Sequence, residues 1–493
     1  MILIILIFVV LSVTLAFLIY RRVAYFDLLH VTHEKFDIFY GNSKNSSLGK
    51  WSVCYDVDRI YQKFKNQFPI AGFMRNFTPY IIPLKHEMFK QILITNFKNF
   101  RNSDFALDVK RHSIITLNPF WLRNESWKIK RSELSPALSS NRLKAMYPLM
   151  DDSVKEFSDY ITNEIEKSSS MSLNAREISL RYSCNSIAST TYGINAHAYE
   201  KSSDVLHYGR KIWQEISKST ISFFNSDQVI SNEVNQFFIK LTNQVIQNRR
   251  YNNQQRNDLL SFIISLKDKK NASNIESAAA AMTFFLNGFE TSSVALCYAL
   301  YEISKNVRIQ EKLRQEITEF CGDDKDQRVP IDTLSNLKYL DQVFYETLRL
   351  HPPLFYITRV CNDDVELMTD DSDEKQLILK GTTVWIPIYS IHRDSDYYRN
   401  PDEFLPERFD EECGGVKAFR DKCVLLPFGD GSRICLGMKL GTLQVKAAIV
   451  EVLRNFEISC DDSTSDEDAK IKPNQFVNSP NEKIFIKFKK IKL

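Results

Sequence analysis

Phe428-Gly429-Asp430-Gly431-Ser432-Arg433-Ile434-Cys435-Leu436-Gly437 is the stretch around which the rest of this 493-residue chain is organised. It offers one soft metal ligand, Cys435, and one guanidinium fork, Arg433. Its glycines allow a tight turn and close approach of a flat partner to the backbone. The fork suits a carboxylate. From Met438 to Val450 the chain reads as a helix. Cys435 then stands just before a helix N-terminus, where the dipole favours thiolate. Together these features suit an iron porphyrin, with the metal on the sulfur and a propionate on the arginine. A Gly-rich turn holding a buried structural cysteine is the plain alternative. A dinucleotide loop fits worse, because position 434 is Ile where a third Gly is needed. A zinc site from Cys413, Cys423 and Cys435 lacks ligand spacing.

The ten residues match F-x-x-G-x-R-x-C-x-G at every fixed position, so the stretch resembles the haem-binding loop of the cytochromes P-450. That resemblance makes Cys435 the axial ligand of haem iron and adds Phe428 and Arg433 to the cofactor-binding set. Further motifs follow the family's order. On a helix, Trp127 and Arg131 lie one turn apart, and an indole N–H and a guanidinium aimed together can hold one carboxylate. The family directs this W-x-x-x-R at a haem propionate.

The second strong signal is a long, Ala-rich, proline-free helix from Glu276 to Ser304. In its middle stands Gly288-Phe289-Glu290-Thr291-Ser292. A Gly, an acid and a hydroxyl are costly inside an apolar helix unless they are used. A Thr hydroxyl can bond back to the helix and open a local groove, and an adjacent acid can relay protons. The resemblance implies that Thr291 and Glu290 are the catalytic alcohol and acid. Asn287 departs from the family, which has Ala or Gly there; its amide is expected near the oxygen-binding face, where it narrows the pocket or hydrogen-bonds a ligand.

Glu346 and Arg349 form E-x-x-R on a helix ended by Pro352 and Pro353. The family adds a second arginine from P-E-R-F, here Arg408, so Glu346, Arg349 and Arg408 are expected as scaffold. Leu354 to Val360 and Thr382 to Pro387 read as extended. The resemblance assigns Arg359 and His392 to the propionates. It also makes Asn474 to Pro480 the last pocket-lining turn, and Ser219 to Phe224 and Asn235 to Phe238 the roof of the pocket. The acidic stretches Asp363 to Glu374 and Asp461 to Asp468 read as surface loops.

Residues 1–20 are nearly all apolar and long enough to cross a bilayer. No Lys or Arg precedes the run, and Arg21 and Arg22 follow it, which places the C-terminal side in the cytoplasm. The missing charged n-region and cleavage site argue against a removed signal peptide. Nine scattered cysteines with no C-x-x-C pair suit a reducing compartment. A net charge of +3 gives no reason to expect nucleic acid. The family's proline-rich hinge is absent, since no proline precedes Pro69.

The expected fold is therefore mainly α with small β-sheets, the cytochrome P-450 fold. A transmembrane signal-anchor spans 1–20, a linker and lead-in segment 21–67, and one monooxygenase domain 68–493. The likeness is to the microsomal branch of arthropod detoxification and vertebrate drug-metabolising enzymes. It implies haem b, O2, a small apolar substrate and an endoplasmic reticulum membrane, with the catalytic domain facing the cytoplasm. Electrons would come from NADPH through NADPH–cytochrome P-450 reductase, with cytochrome b5 as a second donor. The basic face of Lys128, Lys130, Arg142 and Lys144 is the expected docking surface. Two alternatives are a haem-thiolate isomerase or dehydratase, whose members tend to lose the acid–alcohol pair kept here, and a non-catalytic haem-binding membrane protein.

Overall fold

The computed structural model describes residues 2–105, 114–167, 171–221, 229–322, 324–325, 327–369, 372–480 and 483–491. The body is mainly helical with three small sheets. The helices used below are α1 (Ile2–Val23), α2 (Val53–Phe64), α3 (Asn124–Leu134), α4 (Ser140–Lys167), α5 (Ala175–Tyr192), α6 (Asp204–Ile221), α7 (Asn232–Tyr251), α8 (Asn274–Lys305), α9 (Lys338–Leu350) and α10 (Met438–Asn455). In the main sheet β1 (Ile70–Arg75) pairs antiparallel with β2 (Thr78–Pro83), β2 runs parallel to β7 (Thr383–Ile386), and β7 pairs antiparallel with β4 (Ile357–Val360). A second sheet has the order β3 (Ser172–Asn174), β9 (Phe485–Lys490), β8 (Phe456–Cys460).

The third sheet is a hairpin of β5 (Val365–Thr369) and β6 (Ser372–Ile378). It corrects the reading of Asp363 to Glu374 as a surface loop. Glu366 is exposed, but Leu367 and Ile378 are buried in the sheet-side core, and that alternation is what a half-buried strand requires. The second acidic stretch, 461–468, does form turns, and its Asp466 pairs with Lys305 at the end of α8.

The central helix α8 begins with a full capping box, in which Ser273 and Glu276 bond each other's backbone N–H. It is buried along most of its length. Gly288 lets α8 lie close against α5: a Cβ there would come 2.6 Å from Ile187 Cδ1. This glycine serves helix packing as well as the cavity wall.

Residues 26–67, most of the expected linker and lead-in segment 21–67, pack onto the body. Phe26 is fully buried against β1, where Gly72 leaves room for its ring; a Cβ at 72 would stand 2.6 Å from that ring. Helix α2 buries Val57, Ile60, Tyr61 and Phe64, an i, i+3, i+4, i+7 stripe present in the sequence. Arg22 at the end of α1 bonds the Asn76 carbonyl and covers the Phe77 ring at 4.1 Å, which ties that end of the helix to the β1–β2 turn.

Two cores result, one among the helices and one under the main sheet. The cavity described next has walls drawn from both.

Candidate active site

The cysteine loop is built by its neighbours. Cys435 N–H donates to the Phe428 carbonyl at 2.8 Å, closing the loop. Gly431 has φ +69°, and a Cβ there would fall 2.0 Å from the Leu93 carbonyl oxygen, so only glycine fits. Asp430 accepts the Gly431 N–H at 2.7 Å, and the Cys423 thiol reaches its other oxygen. The Cys435 side chain opens into a large, mostly apolar cavity beside the start of α10. Burial pushes its thiol up, although the Gly437 N–H and the Arg131 charge pull it down. The helix end alone therefore does not make the thiolate expected from sequence; coordination to a metal would deprotonate it.

Phe428, Trp127, Arg131, Arg359 and Arg433 also line this cavity. The Arg433 guanidinium lies 4.3 Å from the centre of the Trp127 ring, and it donates to the carbonyls of Arg101 (2.5 Å) and Leu122 (2.8 Å). Burial, then the like charges of Arg359, Arg131 and Arg123, push Arg433 down to about 9. Arg359 is pushed down by burial to about 10, and its Nε has no partner. Among the described residues no carboxylate pairs with Arg131, Arg359 or Arg433. Three cavity-lining guanidiniums without a counter-charge among the described residues, Arg359 buried with an orphaned donor and Arg131 and Arg433 half-buried, fit a dianion such as the two propionates of haem.

His392 is not part of this set. It is fully buried outside the cavity wall. Its Nε2 accepts the Leu426 N–H at 2.9 Å, which puts the proton on Nδ1, facing the Arg349 carbonyl at 3.1 Å. Burial and the Arg349 charge push it down to about 3. Both nitrogens of a neutral ring are used within the scaffold, so the propionate role expected for His392 is corrected.

Opposite the cysteine stands α8. Four successive carbonyls there accept hydroxyls: Asn287 from Thr291 (2.6 Å), Gly288 and Phe289 from Ser183 (3.2 and 2.6 Å), and Glu290 from Ser293 (2.7 Å). The helix is unbroken through them. Thr291 and Asn287 line the cavity; Glu290 does not. The Glu290 carboxylate is buried on the far side, paired with Arg176 of α5 and accepting the Ser479 hydroxyl at 3.0 Å. In this geometry Glu290 acts first on packing. Glu290→Ala is expected to destabilise the protein by about 3–5 kcal/mol, because Arg176 is left as a buried, unpaired charge. The double replacement Arg176→Met with Glu290→Leu should recover most of that in urea unfolding. If the single variant unfolds like wild type, the pair carries no structural load.

Glu346, Arg349 and Arg408 are brought together away from the cavity. Arg349 Nε and Arg408 Nε lie 2.8 and 2.9 Å from the fully buried Glu346 carboxylate.

Part of the cavity's remaining wall is an aromatic cluster. Phe105 stacks on Phe120 at 5.5 Å, and Trp121 and Trp213 lie 5.8 and 6.2 Å from Phe476. Phe476 comes from the 474–480 turn, which is held by Asn478 on the Pro352 and Pro353 carbonyls. The sequence reading missed Asn118, Phe120, Trp121 and Trp213; the run Asn118-Pro119-Phe120-Trp121 was the available signal. Phe238 is core, and Phe237 stacks on Tyr208 at 4.1 Å, so neither lines the cavity. Of the expected roof, Ser222, Phe223 and Phe224 lie outside the described residues.

The model of the family described as Cytochrome P450 matches residues 51–488. Cytochrome P450 6A1 of Musca domestica is 31% identical over 94% of this chain and 93% of its own length. A Drosophila melanogaster protein named "Probable cytochrome P450 28d1" is 32% identical over 86% of each chain, and cytochrome P450 6a2 of the same fly is 30% identical over 92% of this chain and 93% of its own. Matched from Trp51 to Phe488, and similar to these insect proteins over nearly its whole length, the chain belongs to the cytochrome P450 family, the haem-iron monooxygenases.

Proposed function

We propose that this protein is a membrane-anchored microsomal monooxygenase, with Cys435 as the axial thiolate of its haem and a small apolar molecule as its substrate. The observation that carries this reading is the Cys435 sulfur on the wall of a mostly apolar cavity whose three arginines, one buried and two half-buried, have no carboxylate partner among the described residues. Arg131, Arg359 and Arg433 would hold the propionates, with Trp127 backing Arg433 and Phe428 closing the cysteine loop through its carbonyl. When bound, the haem supplies oxygen activation, and its thiolate ligand favours O–O cleavage. The protein's own residues do the rest. The aromatic wall excludes water and orients an apolar substrate. The Thr291 hydroxyl, turned toward the Asn287 carbonyl, holds a proton at the cavity edge. Glu290 is the nearest acid in sequence but reaches that edge only by leaving Arg176.

Helix α1 has the length and apolarity of a membrane span. It would place the body on the cytoplasmic side of the endoplasmic reticulum, where NADPH–cytochrome P450 reductase and cytochrome b5 can reach it. The expected basic face is weaker than its sequence reads, because Lys130 pairs with Glu133 and Lys144 with Asp332. Lys128 and Arg142 then carry the attraction for an acidic reductase.

The test is reconstitution of the haem-loaded protein with that reductase in phospholipid. The reading calls for substrate-dependent NADPH consumption and one labelled oxygen atom from O2 in the product. Intact haem-thiolate protein that turns over a substrate without NADPH would contradict it.

A further inference from the structure

We infer that Asn287 selects substrates that carry a hydrogen-bond-accepting oxygen, a ketone or quinone carbonyl, on an otherwise apolar and flat molecule; the inference rests on the monooxygenase reading of this cavity. The argument starts at Asn118, which is 1% exposed. Its Oδ1 accepts the Phe120 backbone N–H at 3.0 Å. A backbone N–H can only donate, so the Asn118 amide has one orientation, with Nδ2 on the other side. That Nδ2 donates to Asn287 Oδ1 at 3.4 Å. Asn287 must therefore give its oxygen to Asn118 and turn its NH2 away.

Asn287 faces the cavity, and among the described residues its NH2 meets no acceptor. The neighbouring hydroxyl offers none of its own protons there, because Thr291 donates back to the Asn287 carbonyl at 2.6 Å. Asn287 is thus a fixed donor in a mostly apolar wall that includes Phe120, Trp121, Phe476 and Trp213. A ligand that fills this space without an acceptor leaves that N–H buried and unpaired. A ligand with a carbonyl there satisfies it. A site built to hydrogen-bond its substrate rejects the analogue that lacks the group. The aromatic wall favours flat rings that can stack. The net value of one such bond corresponds to about tenfold in affinity.

The test uses haem-loaded wild type, Asn287→Ala, Asn287→Asp and Asn118→Ala, each first shown to give the thiolate–haem signal with carbon monoxide. Equilibrium dialysis then compares fluorenone with fluorene, and anthraquinone with anthracene, pairs alike in shape but differing in the carbonyl. Wild type is expected to bind the carbonyl member about tenfold more tightly. Asn287→Ala should bind both members alike. Asn118→Ala, which frees the amide to turn, should lose most of the preference. Asn287→Asp keeps an oxygen for Asn118 but offers the cavity an acceptor, so it should prefer 9-fluorenol to fluorenone. Equal affinities in wild type, binding of neither member of either pair, or a preference retained in Asn287→Ala would overturn the inference. A wild type without the thiolate–haem signal would overturn the reading of the cavity, and the inference with it.

Discussion

Glu346→Ala is expected to destabilise the protein by about 3–5 kcal/mol, a large share of the total stability of a folded domain. The carboxylate is wholly buried and accepts from Arg349 Nη2 and Nε at 2.8 Å each, from Arg408 Nε at 2.9 and 3.0 Å, and from the Leu405 N–H at 2.8 Å. Arg349 in turn donates to the carbonyls of His392, Pro401 and Glu403. One acid therefore fixes two guanidiniums, and these fix the chain from 392 to 408 that leads to the cysteine loop. Removing it strands two buried charges. Glu346→Gln keeps the shape and some of the bonds and should cost less. Urea unfolding of both variants measures this. A loss under about 1 kcal/mol for the alanine variant, the value of an exposed pair, would contradict the account.

Arg359→Met is expected to weaken haem binding by about ten- to a hundredfold, the loss of one charge-assisted bond to a propionate. It should not weaken the haem-free protein. Among the described residues the Arg359 side chain makes one hydrogen bond, to the adjacent Thr358 carbonyl; its Nε is orphaned, and burial already works against its charge. A methionine of similar length removes that burden and leaves no large void. A merely structural arginine would behave in the opposite way, lowering haem-free stability and haem affinity together. Haem titration and thermal unfolding of the haem-free protein separate the two outcomes.

The chemistry was legible where it depends on residue type at fixed spacing. The Cys435 loop, the Trp127–Arg131 turn and the long apolar helix with Thr291 need only their own neighbours, and the structure brings all three to one cavity. The fold class followed from the same motifs. What was not legible depends on distant partners. His392 reads as a free imidazole until the backbone of Arg349 and Leu426 closes on it. Glu290 reads as a relay until Arg176, more than a hundred residues earlier, takes its carboxylate. The hairpin at 365–378 was hidden by the acidic run in its sequence. The docking of residues 26–67 was hidden because Gly72, which admits Phe26, shows its value only when the two meet. Asn287 stood out as a departure from the family, but its direction depends on Asn118, which no motif singled out.

The most direct measurement is the reduced, carbon-monoxide-bound difference spectrum of the haem-loaded protein, with Cys435→Ser beside it. The account predicts a strongly red-shifted Soret band in wild type, the mark of thiolate on the iron, and its loss in the serine variant with the body still folded. Haem bound by wild type without that band, or the band surviving in Cys435→Ser, would contradict the assignment of Cys435 on which the whole reading stands.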